Sequence, residues 1–132
     1  MTEETKDLLR QDILPVLLGN GMAAHRLSAQ LSARYGVGSL LCGAHRGLLD
    51  LMDPTSVFFR LCYKESGRLA AEQLVDFFDA HDDLFCLLVP MTADARAFVS
   101  EQSELLETRF VCVEPNKLCG AWLDPTGIST ER

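Results

Sequence analysis

Two glycines one residue apart, Gly19 and Gly21, stand between an apolar run and a stretch of helical period in "ILPVLLGNGMAAHRL". A strand–turn–helix written this way leaves backbone N–H groups free at a helix N-terminus, where an anion is favoured. Gly19, Gly21 and Ala24 fit the GxGxxA form of the dinucleotide fingerprint. That fingerprint also wants an acid at the end of the second strand. Here the matching stretch is "CGAHRG", which offers His45 and Arg46 instead. Arg46 suits a 2′-phosphate, so the residues leave an NADP-type site open beside a plain tight turn. A phosphate-transfer loop is excluded, because "GNGMAAHR" lacks the required Lys and Ser/Thr.

The other reactive residue types divide into two groups. His45 is in a loop beside Arg46 and could bind an anion or move a proton. Thr92 is placed to cap a helix, and Asp94 follows in its first turn, where it either complements the helix dipole or faces a cleft. His25 falls on the polar side of its helix and is expected to be solvated. His81 follows a helix C-terminus, where a cation is favoured. Asp82 and Asp83 read as a solvated turn, with no catalytic pairing. Cys42, Cys62, Cys86, Cys112 and Cys119 show no CxxC pair and no His at zinc spacing. Four of them fall in apolar runs, so free buried thiols in a reducing cytoplasm are expected, with no metal site.

The elements that must position these residues alternate. Glu3 to Gln11 reads as a short helix with Thr2 as its cap. Strands are expected at Ile13 to Gly19, Ser39 to Gly43, Val57 to Tyr63, Leu84 to Pro90 and Arg109 to Pro115. Pro15 cannot donate to a ladder, so it is expected at the first paired residue of its strand. Helices are expected at Met22 to Tyr35, at Ser66 to His81 and at Thr92 to Leu106. The first carries an apolar stripe of Ala24, Leu27, Leu31 and Tyr35, and Gly36 stops it. The second carries Leu69, Ala70, Leu74, Phe77 and Phe78 on one side. Ala44 to Ser56 reads as a loop with one helical turn, and 116–132 as an irregular tail containing Trp122.

Strands alternating with helices imply a parallel sheet with covered faces, and right-handed crossovers make it doubly wound. The expected fold is an α/β three-layer, Rossmann-like sandwich of about five strands in the order 3-2-1-4-5. Ligands bind past the carboxyl ends of such strands at the switch point, here between strands 1 and 4. Gly19, Asn20, Gly21, His45, Arg46, Thr92 and Asp94 are the residues this topology gathers there.

A chain of 132 residues suits one domain and buries roughly two thirds of its unfolded surface. Its net charge of −7, with scattered Lys and Arg, argues against nucleic acid and against an anionic membrane surface. No apolar run approaches the roughly 20 residues that span a bilayer. The acidic start "MTEETKDLLRQ" is no secretory signal.

In order and spacing, "PVLLGNGMAAHRLSAQLSARYGVGSLLCG" resembles the opening of ATP-grasp carboxylate–amine ligases, the group of carbamoyl-phosphate synthase-like proteins and D-aspartate ligases. Their N-terminal, pre-ATP-grasp domain begins with an apolar strand, a Gly-rich turn, a helix ending in "YG" and a strand ending in Gly. "DPTSVFFRL" is similar to the family's next loop and strand, and "LLVPMTADARAFVSEQSELL" to its fourth strand and helix. The likeness runs from about Ile13 to Leu118. One departure is the turn after strand 1, where related ligases carry an acid and this chain has Gly19-Asn20-Gly21. The resemblance implies a domain that lines part of the acceptor-substrate pocket and is non-catalytic in isolation. ATP and magnesium then belong to further ATP-grasp domains, in cis or on a partner subunit. It also implies an exposed apolar docking face and, through it, homo-oligomers. The alternatives are a small NADP- or nucleotide-binding module and a non-enzymatic interaction or scaffold domain.

Overall fold

Residues along each central strand point alternately to two different cores, and that alternation explains why the strands read as unbroken apolar runs. The computed structural model describes residues 3–81 and 83–118. It contains β1 (Ile13–Leu18), β2 (Ser39–Gly43), β3 (Ser56–Arg60), β4 (Phe85–Pro90) and β5 (Phe110–Cys112). All pairings are parallel and the order is β3-β2-β1-β4-β5, the doubly wound, Rossmann-like arrangement expected. Leu14, Val16, Leu18, Leu40, Cys42, Cys86 and Leu88 enter one core, while Leu17, Leu41, Leu87 and Val89 enter the other. A strand covered on both faces needs apolar residues at every position.

The first core is closed by α1 (Glu3–Leu9), α4 (Gly67–Asp79), α5 (Ala93–Glu101) and α6 (Ser103–Leu106), through Leu8, Leu74, Phe78, Phe98 and Leu106 among others. The second is closed by α2 (Met22–Tyr35), through Ala24, Leu27 and Leu31, and by Leu118 after α7 (Pro115–Lys117). Between β2 and β3 lies α3 (Leu48–Met52), the one helical turn expected in that loop. Gly36 ends α2 in the left-handed conformation at φ 69°, its N–H donating to Ser32 O. Thr92 Oγ1 accepts the Ala95 N–H and caps α5, with Asp94 in the first turn. No helix among the described residues is long and apolar enough to cross a membrane.

Several expectations need correction. Tyr35, expected on the buried stripe of α2, is 45% exposed, because it is the last helical residue and the apolar stripe runs out beyond Leu31. Leu69, expected on the buried side of α4, is exposed; the buried stripe is Ala70, Ala71, Leu74, Val75 and Phe78. β3 begins at Ser56 and ends at Arg60, so Cys62 lies beyond the strand, half-buried. The helix expected from Thr92 to Leu106 breaks at Gln102 into α5 and α6. Thr2, Asp82, Cys119 and Trp122 lie outside the described residues.

Pro15 is the third residue of β1, where the expectation placed it first. It pairs with Leu87 of β4, and pairing with β2 begins only at Val16. Gly19 donates to Cys42 O on β2, so by the two-residue period the Pro15 nitrogen also faces β2. The carbonyl opposite is supplied from elsewhere. Gln11 Nε2 donates to Gly38 O at 3.1 Å and to Ile13 O at 3.0 Å, and the Gly38 N–H donates to Gln11 Oε1 at 2.6 Å. The Gln11 amide replaces the bond proline cannot make, and so a central strand tolerates a proline.

Candidate functional site

Four strand ends open on one cleft of about 460 Å³. Gly19, Asn20 and Gly21 follow β1, and Gly43, Ala44 and His45 close and follow β2. Leu61 to Glu65 follow β3, and Thr92 and Asp94 follow β4. Six of the seven residues nominated from the sequence therefore share one wall-to-wall site. Arg46 does not join them. It turns outward and stacks over the Phe58 ring, its guanidinium carbon 5.5 Å from the centroid, a favourable contact for an exposed cation.

The two glycines of the turn have different reasons to be glycine. Gly19 has φ 137°, and a side chain there would meet Met91 Cβ at 3.1 Å, so the backbone demands it. Gly21 has φ −85° and open space around it. No side chain caps α2 at Gly21, so the first N–H groups of that helix are left facing the cleft end of β1. The charged groups at the mouth are Lys64, Glu65 and Asp94, with Lys64 Nζ 3.1 Å from Asp94 Oδ2 across the opening. Both partners are well exposed, so this ion pair contributes little to stability and is free to exchange for ligand charges. Tyr63 is fixed by stacking on Phe98, with ring centroids 5.2 Å apart.

Asn20 is the link between this cleft and a polar network beneath it. Its Nδ2 donates to His45 O at 2.9 Å and to Asp50 Oδ2 at 2.7 Å. Gly43 leaves the room for Asn20, since a Cβ there would come within 2.8 Å of Asn20 Cγ. Asp50 Oδ2 also accepts the Gly47 N–H, and Asp50 Oδ1 lies 2.8 Å from His25 Nε2. On the other side of the ring, His25 Nδ1 lies 2.6 Å from Asp53 Oδ2. Asp53 further accepts from Thr55 N, Thr55 Oγ1 and Ser56 Oγ. That set explains the "DPTS" stretch as an aspartate-closed turn into β3. Burial acts to raise the Asp53 carboxyl. The hydrogen bonds from Thr55, His25 and Ser56 outweigh it and hold the group below its ordinary range.

His25 is thus 8% exposed and clamped between two carboxylates, where a solvated position was expected. The stripe of α2 pointed it outward, but the α3 turn folds back over that side of the helix. The signal for it was the pair Asp50 and Asp53, two acids three apart in an otherwise apolar turn. Both ring nitrogens face acceptors, a contact set that the ring can donate to fully only with both protons in place. At the C-terminal end of α4, Arg109 Nε and Nη2 donate to Phe78 O and Nη2 to His81 O.

Three thiols are pushed up by burial. Cys42 is raised furthest, Cys86 rises to about 11, and Cys112 is raised by burial and by the nearby Glu107 carboxylate. Among the described residues no group of three or more His, Cys, Asp or Glu side chains is placed to hold a metal ion. Compared with protein-family models, with curated proteins and with solved structures, the chain matches none.

Proposed function

We propose that this chain is a substrate-side domain of the kind that opens ATP-grasp carboxylate–amine ligases. It holds part of a small polar acceptor in the cleft at the strand ends and does no chemistry alone. The observation that carries this reading is the convergence of Gly19, Asn20, Gly21, His45, Thr92 and Asp94 on one cleft. The charges at its mouth suit a ligand bearing both signs. The open N-terminus of α2 and Lys64 favour a carboxylate, and Asp94 and Glu65 favour an amine. ATP and magnesium would be bound by further domains, in cis or on a partner subunit. The competing dinucleotide reading used Arg46 for a 2′-phosphate, and Arg46 stacks on Phe58 outside the cleft.

Thermal unfolding in the presence of α-amino acids, NADPH, NADH and AMP tests this. An amino acid at about ten times its Kd stabilises the native state by about 1.4 kcal/mol, which raises Tm by several degrees. The rise is expected to disappear when Gly21 is replaced by a larger residue. A rise with a dinucleotide and none with any amino acid would overturn the proposal.

A further inference from the structure

The short helix α3 is built inside out. Asp50 and Asp53 turn inward to His25 and Asn20, so the apolar stripe at i, i+3 and i+4 faces outward. Leu48 is 72% exposed, Leu51 68% and Met52 67%. Beside this helix runs β3, the edge of the sheet. Ser39 N donates to Thr55 O, and Leu61 N to Gly43 O, so the backbones of the odd residues face β2. The Ser56 and Phe58 backbones therefore point away from the sheet, as does Arg60, whose carbonyl accepts Gln73 Nε2. No backbone group among the described residues pairs with that outer side. An open edge next to exposed leucines is a surface that natural proteins normally cover.

The charge on this surface says what covers it. A groove lined by Arg46, Leu51, Met52, Pro54, Val57 and Phe58 runs along the edge, and an adjoining one adds Arg60. In a chain of net charge −7, Arg46 and Arg60 stand together here. Among the described residues neither is in an ion pair. Glu4 is the one carboxylate on the groove outside the His25 network. A second copy pairing antiparallel about Phe58 would set each Arg46 beside its own copy, and like charges opposed across a strand pair are destabilising. We infer that β3 and α3 form a docking edge for an extended, acidic segment of a partner protein. The segment adds a strand to β3, lays apolar side chains on Leu51, Met52 and Phe58, and places carboxylates on Arg46 and Arg60. This inference does not rest on the reading of the cleft.

The probe is a synthetic peptide in which valine and glutamate take turns at every second residue, with threonine between them, so that both meet the face that carries Phe58 and Arg60. The control has lysine in place of glutamate, and each is titrated into the full chain labelled for amide NMR. Saturable shifts are expected at Ser56, Phe58 and Arg60 with the glutamate peptide alone. Arg46→Glu and Arg60→Glu, both surface changes, are expected to weaken it at least tenfold and to lower Tm by no more than a few degrees, since Arg46 loses only its exposed contact with Phe58. Three results would overturn the inference: no saturable shift at millimolar peptide, equal binding of the lysine peptide, or a dimer in solution that Phe58→Lys dissociates.

Discussion

His25 Nδ1 lies 2.6 Å from Asp53 Oδ2, and this contact ties the first turn of α2 to the turn that launches β3. The Asp53 carboxyl is held below its ordinary range by bonds it makes only in the folded protein. A lowered carboxyl contributes stability at every pH above its unfolded value and loses it as pH falls through the folded value. Asp53→Asn is therefore expected to cost about 1–3 kcal/mol at neutral pH. The cost stays constant down to about pH 5 and shrinks below about pH 4, where the wild-type carboxylate protonates too. Urea unfolding of both proteins across that range measures it. A difference that persists undiminished at the lowest pH would show that the charge of Asp53 is not what matters.

The turn after β1 gives a contrast between two glycines. Gly19→Ala forces a side chain into a positive φ and against Met91, and about 1–3 kcal/mol of lost stability is expected. Gly21→Ala meets open space at an ordinary φ and is expected to change stability by less than about 1 kcal/mol. It adds a methyl to the cleft lining, and the proposed amino-acid binding is expected to weaken without harm to the fold. Equal losses of stability in the two variants would contradict this account of the turn.

The sheet was legible in the sequence because the central strands β1 and β4 are apolar throughout and all five are bounded by Gly, Pro or polar turns. Its doubly wound form followed from crossover handedness, which does not by itself fix the strand order observed, and the cleft followed from the switch point. What the residues did not disclose was how the loop between β2 and β3 folds back. His25 was read from the helical period of α2 alone, which cannot see partners 25 and 28 residues away. Arg46 was placed at the cleft because it belongs to the loop after β2, but its long side chain turns to the Phe58 ring on the edge strand. The cation favoured at the end of α4 is Arg109, a residue distant in sequence whose side chain reaches Phe78 O and His81 O.

The buried thiols give a kinetic prediction. Only the thiolate is nucleophilic, and a thiol raised to about 11, as Cys86 is, is about a thousandfold less ionised at pH 8 than at its full strength. Iodoacetamide at pH 8 is expected to leave Cys42 and Cys86 unmodified in the native protein and to label both in urea, read by peptide mass spectrometry. Rapid native labelling of Cys42, which is fully enclosed between β2 and the first core, would mean that the sheet opens far more often than its packing implies.

Arg109 is 14% exposed and spends its guanidinium on carbonyls at the end of α4, at 2.7 to 3.0 Å. Phe78 O and His81 O also accept the backbone N–H groups of His81 and Leu84, and the guanidinium adds a charged donor at the negative end of the helix dipole. Its ion pair with Asp79 is longer, at 3.7 Å, and Asp79 is largely exposed, so it adds little. Arg109→Ala is expected to cost about 1.5–3 kcal/mol, the value of hydrogen bonds from a charged donor. Asp79→Ala is expected to cost no more than about 0.5 kcal/mol. Arg109→Lys keeps the charge but loses the fork that reaches Phe78 O and His81 O together, so most of the loss remains. Chemical denaturation of the three variants separates the contributions. Full rescue by lysine would assign the effect to charge at the helix end, and a large loss in Asp79→Ala would move it to the ion pair.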